Sequence, residues 1–110
     1  MPKPPNFHGV FVFRNDGDGC FSSKYVNSEQ ITPFVEASKN ISGDPSDPFL
    51  GVFTTIWLDH NDQSTKAKLI ITKRFSDTYE LNWHDYNDFN IVLFSGIGMK
   101  YDGVLVASYK

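Results

Sequence analysis

Residues 66–109 read KAKLIITKRFSDTYELNWHDYNDFNIVLFSGIGMKYDGVLVASY. Four apolar runs follow one another here, separated by short polar breaks. Side chains along a strand point alternately to opposite faces, so parity assigns each residue to a face. In Lys66–Phe75 the odd positions are Ala67, Leu69, Ile71, Lys73 and Phe75, whereas the even positions are mostly charged or polar. That is the pattern of a half-buried antiparallel strand. Ser76-Asp77 is a polar break whose two-residue spacing predicts a tight hairpin. Tyr79, Leu81 and Trp83 then alternate with Thr78, Glu80, Asn82 and His84. After the turn at Asp85–Asp88, Phe89–Met99 runs long, with Phe89, Ile91, Leu93, Ile97 and Met99 on odd positions and Val92 and Phe94 on the even face. Ser95-Gly96-Ile97-Gly98 lets this strand bend, because glycine in a strand marks a bulge or corner. Asp102-Gly103 is a hairpin signal. Val104–Tyr109 ends the series with Leu105, Ala107 and Tyr109 on one face.

Consecutive strands joined by short turns form an antiparallel up-and-down meander, and a bent meander closes into a barrel or folds into a sandwich. Three segments here are Tyr79-x-Leu81-x-Trp83, Ser95-Gly96-Ile97-Gly98-Met99 and Gly103-Val104-Leu105-Val106-Ala107-Ser108-Tyr109. Their order resembles the C-terminal strands of small avidin- or lipocalin-like bacterial barrels. The resemblance runs from about Phe49 to the end, and its motifs are short. It implies a calycin-type barrel, carries no catalytic residue across, and shows no match to the polar biotin-binding residues of avidins. The fold expected is therefore mostly all-β: a small calycin-like barrel with one short helix. A two-sheet sandwich is the alternative.

Upstream, residues 1–6 are a proline-rich lead expected to be extended and loosely ordered. Phe7–Arg14 reads as a strand apolar on both faces at Val10–Phe13, and hence central or covered. Asn15–Gly19 is a turn, and Cys20–Val26 a weaker strand. The turn has the acidic and glycine residues of a calcium loop, but from Asp16 the fifth position is Cys20 and the twelfth Asn27, so the EF-hand pattern fails. Residues 27–40 are read as a short helix, capped by Ser28, or by Thr32 ahead of Pro33, with Ile31, Phe34, Val35 and Ser38 at helical spacing. The competing reading is an irregular strand or loop, since Thr, Val and Phe are poor helix formers. Residues 42–48 form a loop with two prolines, and Phe49–Leu58 resumes the sheet. This gives seven strands, with an eighth around residues 31–38 should the helix be a strand.

A chain of 110 residues suits one domain, residues 1–110, with one core. Aromatic residues make up 15%, and rings of that size suit β-rich interiors. The net charge is −3 with both signs scattered, which argues against a nucleic-acid surface. A single cysteine, Cys20, excludes an intrachain disulfide. The chain shows no signal-peptide pattern and no apolar run long enough for a membrane helix. The expectation is a cytoplasmic protein.

Chemistry-bearing residues are sparse. His8, His60 and His84 show no metal-ligand spacing, and His60 and His84 read as solvated turn residues. Cys20 reads as a structural thiol. No nucleophile elbow or phosphate loop is present, so neither a catalytic set nor a cofactor is expected. The candidate site is the barrel interior. Trp57, Tyr79, Trp83, Met99 and Tyr109 would line one cavity, with Thr55 and Ser95 as polar handles. The competing reading is an interior filled by its own side chains. Three functions follow. One is a non-enzymatic binding protein for a small apolar or aromatic ligand. The second is a filled-core module acting through its surface or as a homodimer. The third is an enzyme using His84, Asp85 or Cys20 at the mouth.

Overall fold

The computed structural model describes residues 4–30, 32–44, 46–58 and 63–110. Eight strands run in order: β1 (Gly9–Gly17), β2 (Cys20–Asn27), β3 (Phe34–Asp44), β4 (Asp47–Leu58), β5 (Ser64–Lys73), β6 (Thr78–Asp85), β7 (Val92–Tyr101) and β8 (Val104–Tyr109). Each pairs antiparallel with its neighbour in sequence, and β8 pairs with β1, closing a barrel. Gly9–Arg14 lie opposite Tyr109–Val104 along this seam. Closure leaves no edge strand, so edge-to-edge pairing is not a route to association.

Two hairpins form where Asp-Gly stands between apolar runs. Asp18-Gly19 and Asp102-Gly103 both take positive φ at the two central positions, the backbone that matches the twist of the flanking strands. The Ser76 turn is wider than a two-residue hairpin. Lys73 pairs with Tyr79, the Arg74 N–H bonds the Thr78 carbonyl, and Phe75 sits on the turn at 75% exposure.

Residues 34–44 form β3, the eighth strand, and there is no helix among the described residues. The helix expected over residues 27–40 is thus corrected, although Ile31 lies outside the described residues. The period is two rather than 3.6: Glu36 and Ser38 are buried, while Val35 and Ala37 face water. Val35 and Ile41 favour the strand through their β-branching.

The inward face carries Phe11 and Phe13 from β1, Phe21 and Tyr25 from β2, and Phe53 from β4. It also takes Ala67, Leu69 and Ile71 from β5, Tyr79, Leu81 and Trp83 from β6, and Leu105, Ala107 and Tyr109 from β8. Stacked and edge-on rings pack the middle: Phe11 lies 5.1 Å from Trp83 and Phe21 lies 4.6 Å from Phe53, centroid to centroid. An eight-stranded barrel is just wide enough for side chains of this kind to fill.

β7 has the opposite parity to that expected. Phe94, Gly96, Gly98 and Lys100 point inward, and Ile97, Met99 and Tyr101 point out. Gly98 lies opposite Tyr79 and Gly96 opposite Leu81. The interior spends this strand's volume on the rings of its neighbour, so glycine marks its inward face and the apolar residues lie outside. A register shift between Trp83 and His84 sets the phase. The outer face of β1 is also uncovered, with Val10 and Val12 exposed.

A Cβ at Gly96 would collide with the Ser108 carbonyl oxygen on β8. Gly96→Ala is therefore expected to lower unfolding free energy by about 1–3 kcal/mol, the usual cost of overpacking, as measured by urea denaturation. Gly103→Ala, at an open turn, costs only its backbone strain.

Candidate functional site

The two ends of the barrel differ. At one, which we call the turn end, β1, β3, β5 and β7 finish and β2, β4, β6 and β8 begin, with short turns at residues 18–19, 74–77 and 102–103. At the other, the loop end, β2, β4 and β6 finish and β3, β5 and β7 begin, with the described connection before β7 running over residues 86–91, and the chain enters past Pro4–His8. Pro4–Phe7 makes a turn there, closed by a hydrogen bond from the Phe7 N–H to the Pro4 carbonyl.

At the loop end four aromatic side chains are only partly buried although they pack on the core: Phe7, Phe34, Trp57 and Phe94. Phe94 is their hub. It meets Trp57 at 6.2 Å and 68°, Tyr109 at 5.6 Å and 81°, and Trp83 at 6.5 Å and 89°. Phe7 covers Phe94 and Tyr109, each at 5.8 Å. Rings that cross nearly at right angles prefer edge-to-face contact and make walls rather than a stack.

Among these rings sits a carboxyl. Glu36 pairs across the ladder with Trp57 and is 3% exposed. The Trp83 indole N–H donates to its Oε2 at 3.2 Å, and the Thr55 hydroxyl donates to the same oxygen. Ser38 lies 2.8 Å from the Thr55 hydroxyl and extends the chain. Burial pushes the Glu36 carboxyl up to about 7, against the pull of the Thr55 and Trp83 hydrogen bonds. Nearby, burial pushes the Tyr109 phenol up to about 12, opposed by the hydrogen bond from the Asn27 amide at 2.9 Å.

The turn end holds a different polar group. The Tyr79 hydroxyl donates to Asp47 Oδ2 at 2.7 Å, Lys100 Nζ lies 3.3 Å from the same oxygen, and the Phe49 N–H donates to Oδ1 at 3.0 Å. Burial opposes ionisation of Asp47, but the hydrogen bonds from Tyr79, Phe49 and Lys100 outweigh it and hold the carboxyl below its ordinary range. The same burial, with the bond to Asp47, raises the Tyr79 phenol. This carboxylate carries its own cation.

The seven residues expected to line one cavity divide into four groups. Thr55 and Trp83 bind Glu36, and Trp57 and Tyr109 stand beside it. Tyr79 is buried with them but serves Asp47 at the other end. Ser95 lies off the interior, bonded to Asn82, in an open recess of about 390 Å³ lined also by Pro4, Asn6, Phe7 and Lys110. Met99 points outward at 54% exposure, a correction that follows from the parity of β7. Glu36 was hidden by the helix reading. The alternation Phe34-Glu36-Ser38, read as a strand, puts a carboxyl indoors and is the signal that would have found it. Asp47 and Lys100 carry no such signal.

Among the described residues no group of three or more His, Cys, Asp or Glu side chains gathers as for a metal ion. Cys20 begins β2 at the turn end, whereas His84 and Asp85 end β6 at the loop end. The His84 ring stacks on Phe89 at 4.3 Å, with Nδ1 2.8 Å from the Phe89 carbonyl oxygen. His60 and its neighbours Asp59 and Asp62 lie outside the described residues. Comparison of the chain with protein-family models, curated proteins and solved structures gave no match.

Two stability predictions follow from the two carboxyls. Between about 4.5 and about 7 the folded protein holds a proton on Glu36 that the unfolded chain has lost. The contribution of this group to stability therefore falls as pH rises through that window and levels off above it. A shift of that size is worth on the order of 3 kcal/mol. Glu36→Gln keeps an acceptor for Trp83 and Thr55, so the variant should exceed the parent by roughly that amount at pH 8, with the difference closing near pH 4.5, as read by urea melts across pH. Tyr79→Phe removes a hydrogen bond to a charged group and should cost about 1.5–3 kcal/mol in the same assay.

Proposed function

We propose that the protein is a non-enzymatic binding module that takes a small aromatic or apolar ligand at the loop end of its barrel. One observation carries this reading. Four aromatic side chains that the core does not finish burying are gathered at the same end, around a buried carboxyl that fixes Trp83 and Thr55. Small-molecule sites combine such apolar walls with a few placed polar groups. In a barrel with a ring-packed middle the ligand sits at the mouth rather than along the axis. The likeness to calycin-type barrels fits this use of the fold, and the turn end, tied down by Asp47, Tyr79 and Lys100, serves as the closed base.

A second reading is favoured by a separate observation. The outer face of β7, β8 and β1 carries Met99 and Val12 on either side of Val106, with Tyr101 beside Val104 and with Val10 and Ile97 exposed nearby. Exposed apolar residues in one area mark interaction surfaces. On this reading the barrel is a surface-acting module or homodimer.

Tryptophan emission tests the first reading. Titration with the neutral probe N-phenyl-1-naphthylamine should quench Trp57 saturably at one probe per chain, and Trp57→Ala should weaken probe binding at least tenfold. A linear, non-saturating response, or unchanged binding in Trp57→Ala, overturns it. Sedimentation equilibrium addresses the second: a dimer dispersed by Met99→Lys supports it, and a monomer at all concentrations removes it.

A further inference from the structure

We propose that the loop-end site selects a small organic cation, of the alkylammonium or quaternary ammonium class, held between the ring walls and the Glu36 carboxyl. This rests on the reading of the loop end as a binding site and adds the charge of the ligand.

Two carboxyls are buried in this barrel, in contrasting surroundings. Asp47 is buried with a cation beside it, Lys100 at 3.3 Å. Glu36 is more deeply buried, and among the described residues no lysine, arginine or histidine forms an ion pair with it. Its donors are an indole N–H and a hydroxyl, both neutral and both on Oε2. Neutral donors orient a carboxylate without supplying counter-charge. A buried charge without an opposite charge is costly, and removing that cost is a source of binding energy for a ligand that brings the charge.

The walls point the same way. Trp57, Tyr109 and Trp83 each meet Phe94 nearly edge-on, and Trp83 and Tyr109 are inclined at 50° to each other. Ring faces are electron-rich and attract cations, tryptophan most strongly, and several rings about one ammonium make the usual aromatic cage. Trp57 is also the cross-strand partner of Glu36, which puts the best cation-binding ring next to the acid. An anionic ligand would be repelled by Glu36. A neutral one would leave the carboxyl uncompensated.

An isosteric pair separates charge from shape. Choline and 3,3-dimethylbutan-1-ol have nearly the same size, and only choline carries charge. Both are titrated into the full chain at pH 8, by calorimetry and Trp57 emission. Choline should bind at least tenfold more tightly, and Glu36→Gln should abolish the preference. Equal binding of the two overturns the cation assignment and leaves the binding reading intact. A choline preference that survives Glu36→Gln overturns the role of Glu36. Absence of choline binding where the neutral naphthylamine probe still binds overturns the inference alone, and absence of binding by all three compounds removes the binding reading with it. The ratio in the parent protein decides the charge preference whether or not the variant folds.

Discussion

The pairing of the first strand with the last is the constraint on which the interior depends. Val10 lies against Ser108 and Val12 against Val106, joining segments nearly a whole chain apart. Closing the sheet satisfies the backbone groups of both strands and leaves no edge to recruit another chain. It also fixes which alternate residues face inward around the whole circuit. Gly9 sits at the end of this seam, opposite Tyr109, where a Cβ would collide with the tyrosine ring. Glycine there lets the ring cross the seam and reach Phe11, Phe94 and Trp83. The closure is thus what brings rings from β1, β6, β7 and β8 into one cluster.

Within that cluster the two ends have been finished differently. The turn end has an acid, a phenol and an amine in mutual contact, a self-satisfied arrangement. The loop end has an acid held by neutral groups and rings left partly in water. A buried carboxyl raised toward neutrality disfavours folding at neutral pH relative to an amide of the same shape. Costs of this kind gather at functional sites, where a perturbed group is part of the mechanism. The asymmetry between Glu36 and Asp47 therefore says more about use than the count of rings does.

Much of this fold was legible in the residues. Ala67, Leu69 and Ile71, then Tyr79, Leu81 and Trp83, then Leu105, Ala107 and Tyr109, all face inward as their alternation requires. Both Asp-Gly pairs make the turns their chemistry favours. The failures have physical causes. In β7 the inward face is built from glycines opposite Tyr79 and Leu81, so its hydrophobic pattern reads in reverse and Met99 lands outside. In β3 the inward residues are Glu36 and Ser38, polar groups whose burial depends on Thr55 from the neighbouring β4 and on Trp83 from the more distant β6. A rule that looks for apolar periodicity along one segment cannot register a partner supplied 47 residues later. Four of the seven cavity residues meet around Glu36, while Tyr79, Ser95 and Met99 are drawn off by Asp47, by the recess at Lys110 and by solvent.

Carbon-13 NMR of the Glu36 side-chain carboxyl, followed through pH, tests barrel closure and the burial of this acid together. The account predicts a titration midpoint near 7, with the Trp83 indole proton shifting in step. A midpoint near the ordinary 4.5, with the indole proton unmoved, would show a solvated carboxyl and contradict both the closed interior at the loop end and the site built on it.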